Sequence, residues 1–266
     1  MNSITRPERA YSAPAASCAA DLLFLLARSP EPLSVAEIAR QLDLSKSLVF
    51  RVAHVLEGKR ILTRVGGNRF WLGLGVLEIG GAYARQVPIG DASRQTLRDL
   101  AHELGATVTL AVLRGSEVFY VMSQEAPGAA IHVGFVGNRV PANCTALGKI
   151  LLSELPPHEV RARFAGHYPA LTPSSINSAD ALERELARVR ERGYATTHGE
   201  AMAGRLAMAV AVESFIGLPE RAALAVASND SSFLDDPARI LAALRDAGDR
   251  LTQLNQVQAT FSGANL

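Results

Sequence analysis

The stretch Leu33–Leu72, LSVAEIARQLDLSKSLVFRVAHVLEGKRILTRVGGNRFWL, decides the fold of the N-terminal part of the chain. Ser34, followed three residues later by Glu37, forms a capping box and predicts a helix from there to about Leu42. After a short turn, Ser45 can cap a second helix. The apolar residues of this second helix recur at helical spacing, and we expect all five to face the core: Leu48, Val49, Val52, Val55 and Leu56.

The other side of the second predicted helix is polar and basic. Lys46 lies at its start, and at about 100° per residue one stripe combines Ser47, Phe50, Arg51 and His54. A helix that enters the major groove of DNA needs such a stripe, because arginine can donate two hydrogen bonds to guanine and an apolar ring can contact a thymine methyl group. We predict DNA contacts from this stripe, with Arg51 as the main base contact, and from the caps Ser34 and Ser45.

Two short strands follow, at Ile61–Arg64 and Arg69–Leu72, around a Gly66-Gly67-Asn68 turn that tolerates positive φ. They would give the helix-turn-helix a wing. We predict phosphate or minor-groove contacts from Arg64, Asn68 and Arg69. A solvated hairpin with ordinary surface arginines is the alternative. The position of the hairpin, directly after a capped helix-turn-helix, favours DNA contact.

Charge is distributed unevenly between the N-terminal part of the chain and the remainder. The 266 residues are 48% hydrophobic and 20% charged, and this length predicts two domains. Up to Leu72 there are ten Lys and Arg against six Asp and Glu, a net charge of +4, whereas the remainder carries −3 and the whole chain +1. The positive charge therefore coincides with the predicted helix-turn-helix, which assigns a polyanionic partner to that part alone.

Apolar runs and cysteines exclude several classes of protein. The run AADLLFLLA is interrupted by Asp21 and bounded by Arg28, and no signal peptide precedes it, so we expect a cytoplasmic protein with no membrane partner. Cys18 and Cys144 lack a partner at ligand spacing. We expect both thiols to be reduced, with no metal site and no cofactor.

The pattern divides the chain into four expected segments: a flexible segment at 1–14, a winged helix-turn-helix at 15–73, a linker helix within 74–90, and a second domain at 91–266. The first helix of the second segment is predicted at Ala15–Arg28. The linker helix, Leu74–Arg85, carries an unusual Gly80-Gly81 pair and ends before Pro88.

Periodicity after residue 90 alternates between helix and strand. Predicted helices are Asp91–Leu104, Ala146–Leu152, Pro157–Phe164, Ala179–Arg192 and Pro237–Leu254. Predicted strands are Thr107–Leu113, Glu117–Met122, Ile131–Val136, Arg205–Val212 and Ala222–Ala227. This order predicts an α+β domain with a largely antiparallel sheet. The highly charged helix Ala179–Arg192 has nearly balanced charges and is predicted to present a solvated face rather than a second nucleic-acid surface.

Two further motifs carry a resemblance to a known family. Together with the helix-turn-helix, VGNRVPANCTALGKILL (Val136–Leu152) and ERGYATTHGEAMAG (Glu191–Gly204) resemble the IclR-type bacterial transcriptional regulators over nearly the whole chain. The resemblance implies an N-terminal winged helix, a linker helix used in dimerisation, and a C-terminal GAF-like domain that binds a small metabolite and thereby alters operator binding.

The TALGK segment is physically consistent with such a pocket. Thr145 precedes a helix whose first amides, near Ala146 and Leu147, have no intrahelical acceptor and therefore attract carboxylates. Alternatively, Thr145 is an ordinary cap, and Ala146 and Gly148 merely permit close packing. The resemblance favours a pocket, and with it we expect these residues to bind the effector: Val133, Val140, Cys144, Thr145, Ala146, Leu147, Thr197, Arg205, Ala207, Ala225 and Ala227.

The chain departs from the family pattern in this pocket. Relatives that bind small hydroxy or keto acids resemble one another in having an acid, a cysteine and serines where this chain has Thr and Ala. We therefore predict a larger and more apolar pocket that takes an aromatic or otherwise bulky acid, with Arg205 bound to its carboxylate. This requires Arg205 to point inward. Strand alternation places Arg205 on the same side as Ala207 and Ala209, and opposite Leu206, Met208 and Val210.

The sequence offers weaker support for a catalytic function than for a regulatory one. His132, Cys144 and His198 could be imagined as a nucleophile with a base, but their spacing does not demand it, and we predict that the protein is not an enzyme. We expect a homodimer or tetramer that places two recognition helices about 34 Å apart on double-stranded operator DNA. The alternative is a metabolite-binding or catalytic protein whose N-terminal domain serves dimerisation.

Overall fold

The computed structural model describes the backbone of residues 13–86, 91–126, 135–213 and 221–263, and the side chains to 83 in the first range and to 254 in the last. The chain divides into two compact units, Met1–Val87 and Pro88–Leu266. The N-terminal unit consists of α1 (Pro14–Arg28), β1 (Leu33–Ser34), α2 (Val35–Leu42), α3 (Lys46–Gly58), β2 (Leu62–Val65), β3 (Arg69–Leu72) and α4 (Leu74–Gln86). Its three strands form an antiparallel sheet in the order β1-β3-β2.

Side-chain caps start both central helices of the N-terminal unit, as predicted. The Glu37 amide donates to Ser34 Oγ at 3.3 Å, and the Ser34 amide donates to Glu37 Oε2 at 2.8 Å, which completes the capping box. Ser45 Oγ accepts from the Leu48 amide at 3.3 Å. Asp43, between the helices, adopts the left-handed conformation with φ 52°, which short polar residues tolerate. This part of the chain is a winged helix-turn-helix.

One of the residues predicted to face the core does not. Val49 and Val52 of α3 are buried and Leu48 and Leu56 half-buried, but Val55 is 62% exposed. Ala53 lies fully buried instead, so the buried face of α3 is rotated towards the side that carries this small residue. Valine is more hydrophobic than alanine, so the hydropathy pattern placed Val55 rather than Ala53 on the buried face.

The C-terminal unit is built on one six-stranded antiparallel sheet in the order β6-β5-β4-β9-β8-β7. Its strands are β4 (Thr107–Arg114), β5 (Glu117–Gln124), β6 (Arg139–Pro141), β7 (Ala195–His198), β8 (Leu206–Val212) and β9 (Ala222–Ser228). Its helices are α5 (Asp91–Leu104), α6 (Ala146–Ser153), α7 (Pro157–Phe164), α8 (Ala179–Arg192) and α9 (Pro237–Gly263). The α+β fold with an antiparallel sheet is as predicted.

The edges of this sheet differ from the prediction. Neither β6, with three residues, nor β7, with four, was predicted, because such short edge strands show too little alternation. Most of the third strand predicted at Ile131–Val136 lies outside the described residues, and Phe135 and Val136 are not in a strand. Arg205 precedes β8 rather than beginning it.

The two faces of the sheet are covered by different helices. Met208, Val210 and Leu224 pack with α5 and α9 in one apolar core. The opposite face is rich in alanine, including Ala209 and Ala223, and it packs against α6 and α8. Small side chains let α6 approach closely, and every residue of α6 is buried. Gly148 is essential to this approach, because a Cβ there would lie 2.0 Å from the Ala142 carbonyl oxygen.

Candidate functional site

The exposed side of α3 is the first candidate surface. The structure brings the predicted stripe together, since Lys46, Ser47, Phe50, Arg51 and His54 are all exposed. The rings of Phe50 and His54 are stacked with their centroids 6.2 Å apart. Arg51 Nε donates a long bond of 3.4 Å to the Ser47 carbonyl, within the helix itself. This side of α3 therefore presents two cations, two stacked rings and the Ser47 hydroxyl to the surroundings.

The wing arginine Arg64 is bound within its own unit. Arg64 donates to both carboxylate oxygens of Glu57, at 3.0 and 2.8 Å, and to Asn68 Oδ1 at 2.6 Å. The hydrogen bond from Arg64 holds the pKa of Glu57 below its usual value. Gly66 and Gly67 form the wing tip with φ of 45° and 84°, a conformation that favours glycine. Arg64 and Asn68 thus stiffen the wing, whatever else they contact.

Arg69 has a similar internal role at the base of the wing. Its Nη1 donates to the Pro32 carbonyl at 2.7 Å, and its Nη2 donates to Glu37 Oε1 at 3.1 Å. Glu37 also accepts hydrogen bonds from the Ser34 amide and hydroxyl, and chiefly these lower its pKa to about 2. Ser34 and Arg69, both predicted to contact DNA, therefore stabilise the junction between β1, β3 and α2. The capping role of Ser34 was predicted from the sequence, but the bonds of Arg69 to Pro32 and Glu37 were not.

A cavity of about 270 Å³ in the C-terminal unit is the second candidate site. It lies between the alanine-rich face of the sheet and the start of α6, with loops on both sides of its mouth. Nine of the residues expected to bind an effector line it: Val140, Thr145, Ala146, Leu147, Thr197, Arg205, Ala207, Ala225 and Ala227. Ala207, Ala225 and Ala227 leave the space, because each fills a wall position with a single methyl group.

Arg205 faces this cavity, which answers the question left open by strand alternation. Ala207 lines the cavity with it, whereas Met208 packs in the core on the other face of the sheet. Burial lowers the pKa of Arg205, although nearby Tyr120 and Glu125 oppose the shift. Because a guanidinium titrates so far above neutrality, Arg205 remains a cation in the cavity wall. Arg205 Nη1 also donates to Asn229 Oδ1, at a long 3.5 Å.

The TALGK segment caps a helix and also borders the cavity. Thr145 is an ordinary cap, since its Oγ1 accepts from the Gly148 amide at 2.9 Å. The first i to i−4 bond is that of the Lys149 amide with the Thr145 carbonyl, at 2.9 Å. The amides of Ala146 and Leu147 precede it and belong to residues that line the cavity. The helix start therefore offers partial positive charge near the cavity.

Cys144 is a correction to the expected set of residues. It does not line the cavity, because the 3₁₀ turn Ala142–Cys144 directs its Sγ to the Pro169 carbonyl oxygen at 3.3 Å. The thiol is fully buried, and burial raises its pKa. A protonated, buried thiol is a poor nucleophile. Val133 lies outside the described residues. Of the two histidines considered as a base for Cys144, His132 also lies outside them, and His198 is exposed.

The cavity also contains residues that sequence reasoning missed: Thr109, Tyr120, Asn138, Arg139, Pro141, Leu171, Ala201 and Met202. Thr109 of β4 lies opposite Ala225 of β9 in the sheet register. That pairing could have been found only by knowing which strands are neighbours. Burial raises the pKa of Tyr120, so its hydroxyl keeps its proton and can donate to a ligand.

In the described part of the chain, none of the helices is long and apolar enough to cross a membrane. Within the same residues, no three His, Cys, Asp or Glu side chains are grouped so that they could hold a metal ion.

Comparison with known proteins places the chain in a family. Residues 16–66 match the IclR helix-turn-helix domain, and residues 81–253 match the bacterial transcriptional regulator IclR C-terminal domain. The probable transcriptional regulator SauR of Cupriavidus necator is 32% identical over 205 residues, which cover 76% of this chain and 81% of that protein. The chain therefore belongs to the IclR family of bacterial transcriptional regulators, which are DNA-binding proteins and not enzymes.

Solved structures agree with this assignment. An IclR transcriptional regulator from Alicyclobacillus acidocaldarius is 28% identical, with a TM-score of 0.78 over 91% of this chain and 99% of that one. An IclR homologue from Microbacterium hydrocarbonoxydans, whose crystal structure is a complex with 4-hydroxybenzoate, is 20% identical, with a TM-score of 0.73 over 91% of this chain and 99% of that one. At that identity the second comparison shows the fold alone.

Proposed function

We propose that the protein binds a specific operator and that a small organic acid, bound in the cavity of the C-terminal unit, controls this binding. The observation that carries the proposal is the placement of Arg205, a cation in the wall of a cavity otherwise lined largely by apolar groups. A guanidinium can donate two parallel hydrogen bonds to a carboxylate. The amides at the start of α6 add partial positive charge for the same group.

The remaining walls favour an aromatic or bulky acid. Ala207, Ala225 and Ala227 leave width beside the sheet, and the hydroxyls of Thr109 and Tyr120 can bind a polar substituent. A relative of the same fold binds 4-hydroxybenzoate, an aromatic acid with a hydroxyl group, which supports this class of effector without identifying the molecule.

We propose that residues 15–73 contact the operator, that residues 74–90 link this domain to the next, and that residues 91–266 bind the effector. Arg51 and its exposed neighbours on α3 would enter the major groove. On α4, Leu74 is 80% and Leu77 72% exposed, and apolar side chains in such a position favour burial against a second copy. A homodimer would place two α3 helices about 34 Å apart, in successive major grooves. The chromosomal DNA it would bind lies in the bacterial cytoplasm, where we place its action.

The DNA-binding part is tested by fluorescence anisotropy of labelled DNA from immediately upstream of the gene, at two salt concentrations and with random DNA as competitor. We expect tight, competitor-resistant binding that weakens as salt rises. Binding no stronger than to random DNA, at that site and across a tiled set of genomic fragments, would contradict the proposal and favour a metabolite-binding protein without operator specificity.

The effector part is tested by thermal shift with a panel of aromatic carboxylates and their matched amides, beginning with 4-hydroxybenzoate and 4-hydroxybenzamide. A carboxylate that binds should raise Tm, while its amide should not. Arg205→Gln should abolish this preference. Arg188→Gln, at an exposed position of α8, should retain it. Equal binding of acid and amide by the unmodified protein would contradict the role of Arg205.

A further inference from the structure

A buried ion pair joins α6 to the loop that precedes β8. The Lys149 side chain is only 2% exposed, and its Nζ donates to Glu200 Oε1 at 2.6 Å and to the Thr196 carbonyl at 3.2 Å. Burial raises the pKa of Glu200, and the bond from Lys149 opposes that shift. Such a pair is costly to desolvate and is weak evidence for added stability, because apolar residues of similar size often serve as well. Its placement therefore calls for another explanation.

Glu200 belongs to a closed loop that supplies part of the cavity wall. The Gly199 amide donates to the Arg205 carbonyl at 2.7 Å, and the Arg205 amide donates to the Met202 carbonyl at 3.1 Å. The loop therefore folds back on itself, with Glu200 near its start and Arg205 at its end. Ala201, Met202 and Arg205 all line the cavity.

The same loop is bound to the segment on the other side of the cavity mouth. The Glu200 carbonyl accepts from Ser175 Oγ at 2.7 Å, and the Gly199 carbonyl accepts from Thr172 Oγ1, also at 2.7 Å. Leu171, directly before Thr172, lines the cavity, and Leu171 and Met202 are both exposed at its mouth. These bonds link the loop 199–205 to the segment 171–175, and the ion pair with Glu200 attaches this loop to Lys149 of α6.

We propose that Lys149 and Glu200 are positioning residues of the effector site, which hold the loop 199–205 and the segment 171–175 in a fixed place over the start of α6. The guanidinium of Arg205 and the amides of α6 then face a carboxylate in one preset arrangement, so that binding need not order the loop. The assignment of a ligand to this cavity rests on the proposed function, but the positioning of the loop does not.

The test is hydrogen–deuterium exchange of the full-length protein, without ligand or DNA. Its result is therefore independent of whether the proposed function is correct. In the unmodified protein, the Gly199 and Arg205 amides should exchange as slowly as those of the neighbouring strands. Glu200→Gln and Lys149→Met should each increase exchange across 199–205 by about tenfold, while β8 and β9 remain protected. Lys149→Met is the more informative variant, because the altered residue lies on α6 and not on the loop.

Glu183→Gln is the matched control, since Glu183 forms an equally short 2.6 Å pair with Arg161 at an exposed place on α8. It should leave exchange in 199–205 unchanged. Fast exchange at Gly199 and Arg205 in the unmodified protein would overturn the proposal even if neither variant folds. So would unchanged exchange in both variants, or an increase spread evenly over the whole unit, which would indicate a role in stability alone.

Discussion

The amide of Gly75, in the first turn of α4, donates a 2.8 Å hydrogen bond to the carbonyl of Arg60, just after α3 ends. The Gly73 amide donates to the Ile61 carbonyl at the same distance, and Arg60 itself has φ 58°. A Cβ on Gly75 would lie 2.9 Å from the Arg60 oxygen. The start of α4 is therefore fixed by backbone contacts to the residues that directly follow α3, and the two helices should move together.

Gly75→Ala should destabilise the N-terminal unit by about 1–3 kcal/mol, because its methyl group would press on backbone atoms that cannot move aside. Gly80→Ala is the matched control, since nothing lies within 4 Å of a Cβ there. It should stabilise the helix by about 0.5–1 kcal/mol. The sole tryptophan of the chain, Trp71, lies in β3, so its fluorescence during urea unfolding reports on this unit. Equal effects of the two substitutions would contradict the close approach.

Arg51→Ala should weaken operator binding by about 1–3 kcal/mol and relax the preference at one base pair, because a base-contacting arginine carries sequence information. Anisotropy with operator and random DNA separates these effects. Arg28→Ala, at the exposed end of α1, is the control for a general loss of positive charge. If Arg51→Ala lowered affinity for both DNAs alike, Arg51 would be a phosphate contact.

The N-terminal unit should lose stability in acid as Glu37 becomes protonated. Its pKa is lowered from 4.5 to about 2, chiefly by hydrogen bonds from Ser34, so the ionised carboxylate is favoured in the folded state. That contribution is present above pH 4.5 and is lost as the pH falls towards about 2. Trp71 fluorescence in urea should show a smaller loss of stability over this range in Glu37→Gln. Glu31→Gln, at an exposed carboxylate, should behave like the unmodified protein; an identical pH profile for Glu37→Gln would refute this account.

Ala227→Leu should fill the cavity and remove the thermal shift by aromatic carboxylates while leaving Tm within a few degrees of the unmodified value. Ala227 is half-buried and lines the cavity, so the larger side chain has open space to occupy. Ala223→Leu is the contrasting variant, because Ala223 is fully buried in the core. It should cost about 1–3 kcal/mol by overpacking. A normal ligand response in Ala227→Leu would place the ligand elsewhere.

The local features of the N-terminal unit could be predicted because they depend on neighbours in sequence. Ser34 with Glu37, and Ser45 before Leu48, are separated by three residues, and a helix brings such residues together whatever surrounds it. The exposed stripe with Arg51 follows from helical periodicity in the same way. Tertiary packing overruled this reasoning at Val55, because the buried face of α3 is chosen by the helices that cover it.

The sequence by itself determined the winged helix-turn-helix, the helices and the longer strands, and the family, since each is encoded in local spacing or in contiguous motifs. Only the tertiary structure decided that Arg205 faces a cavity, that Cys144 does not, and that Arg69 is bound to Glu37. It alone paired Lys149 with Glu200, 51 positions apart. Contacts across such distances depend on sheet register and on the packing of helices against strands, and the residues that meet there are not neighbours in any local pattern.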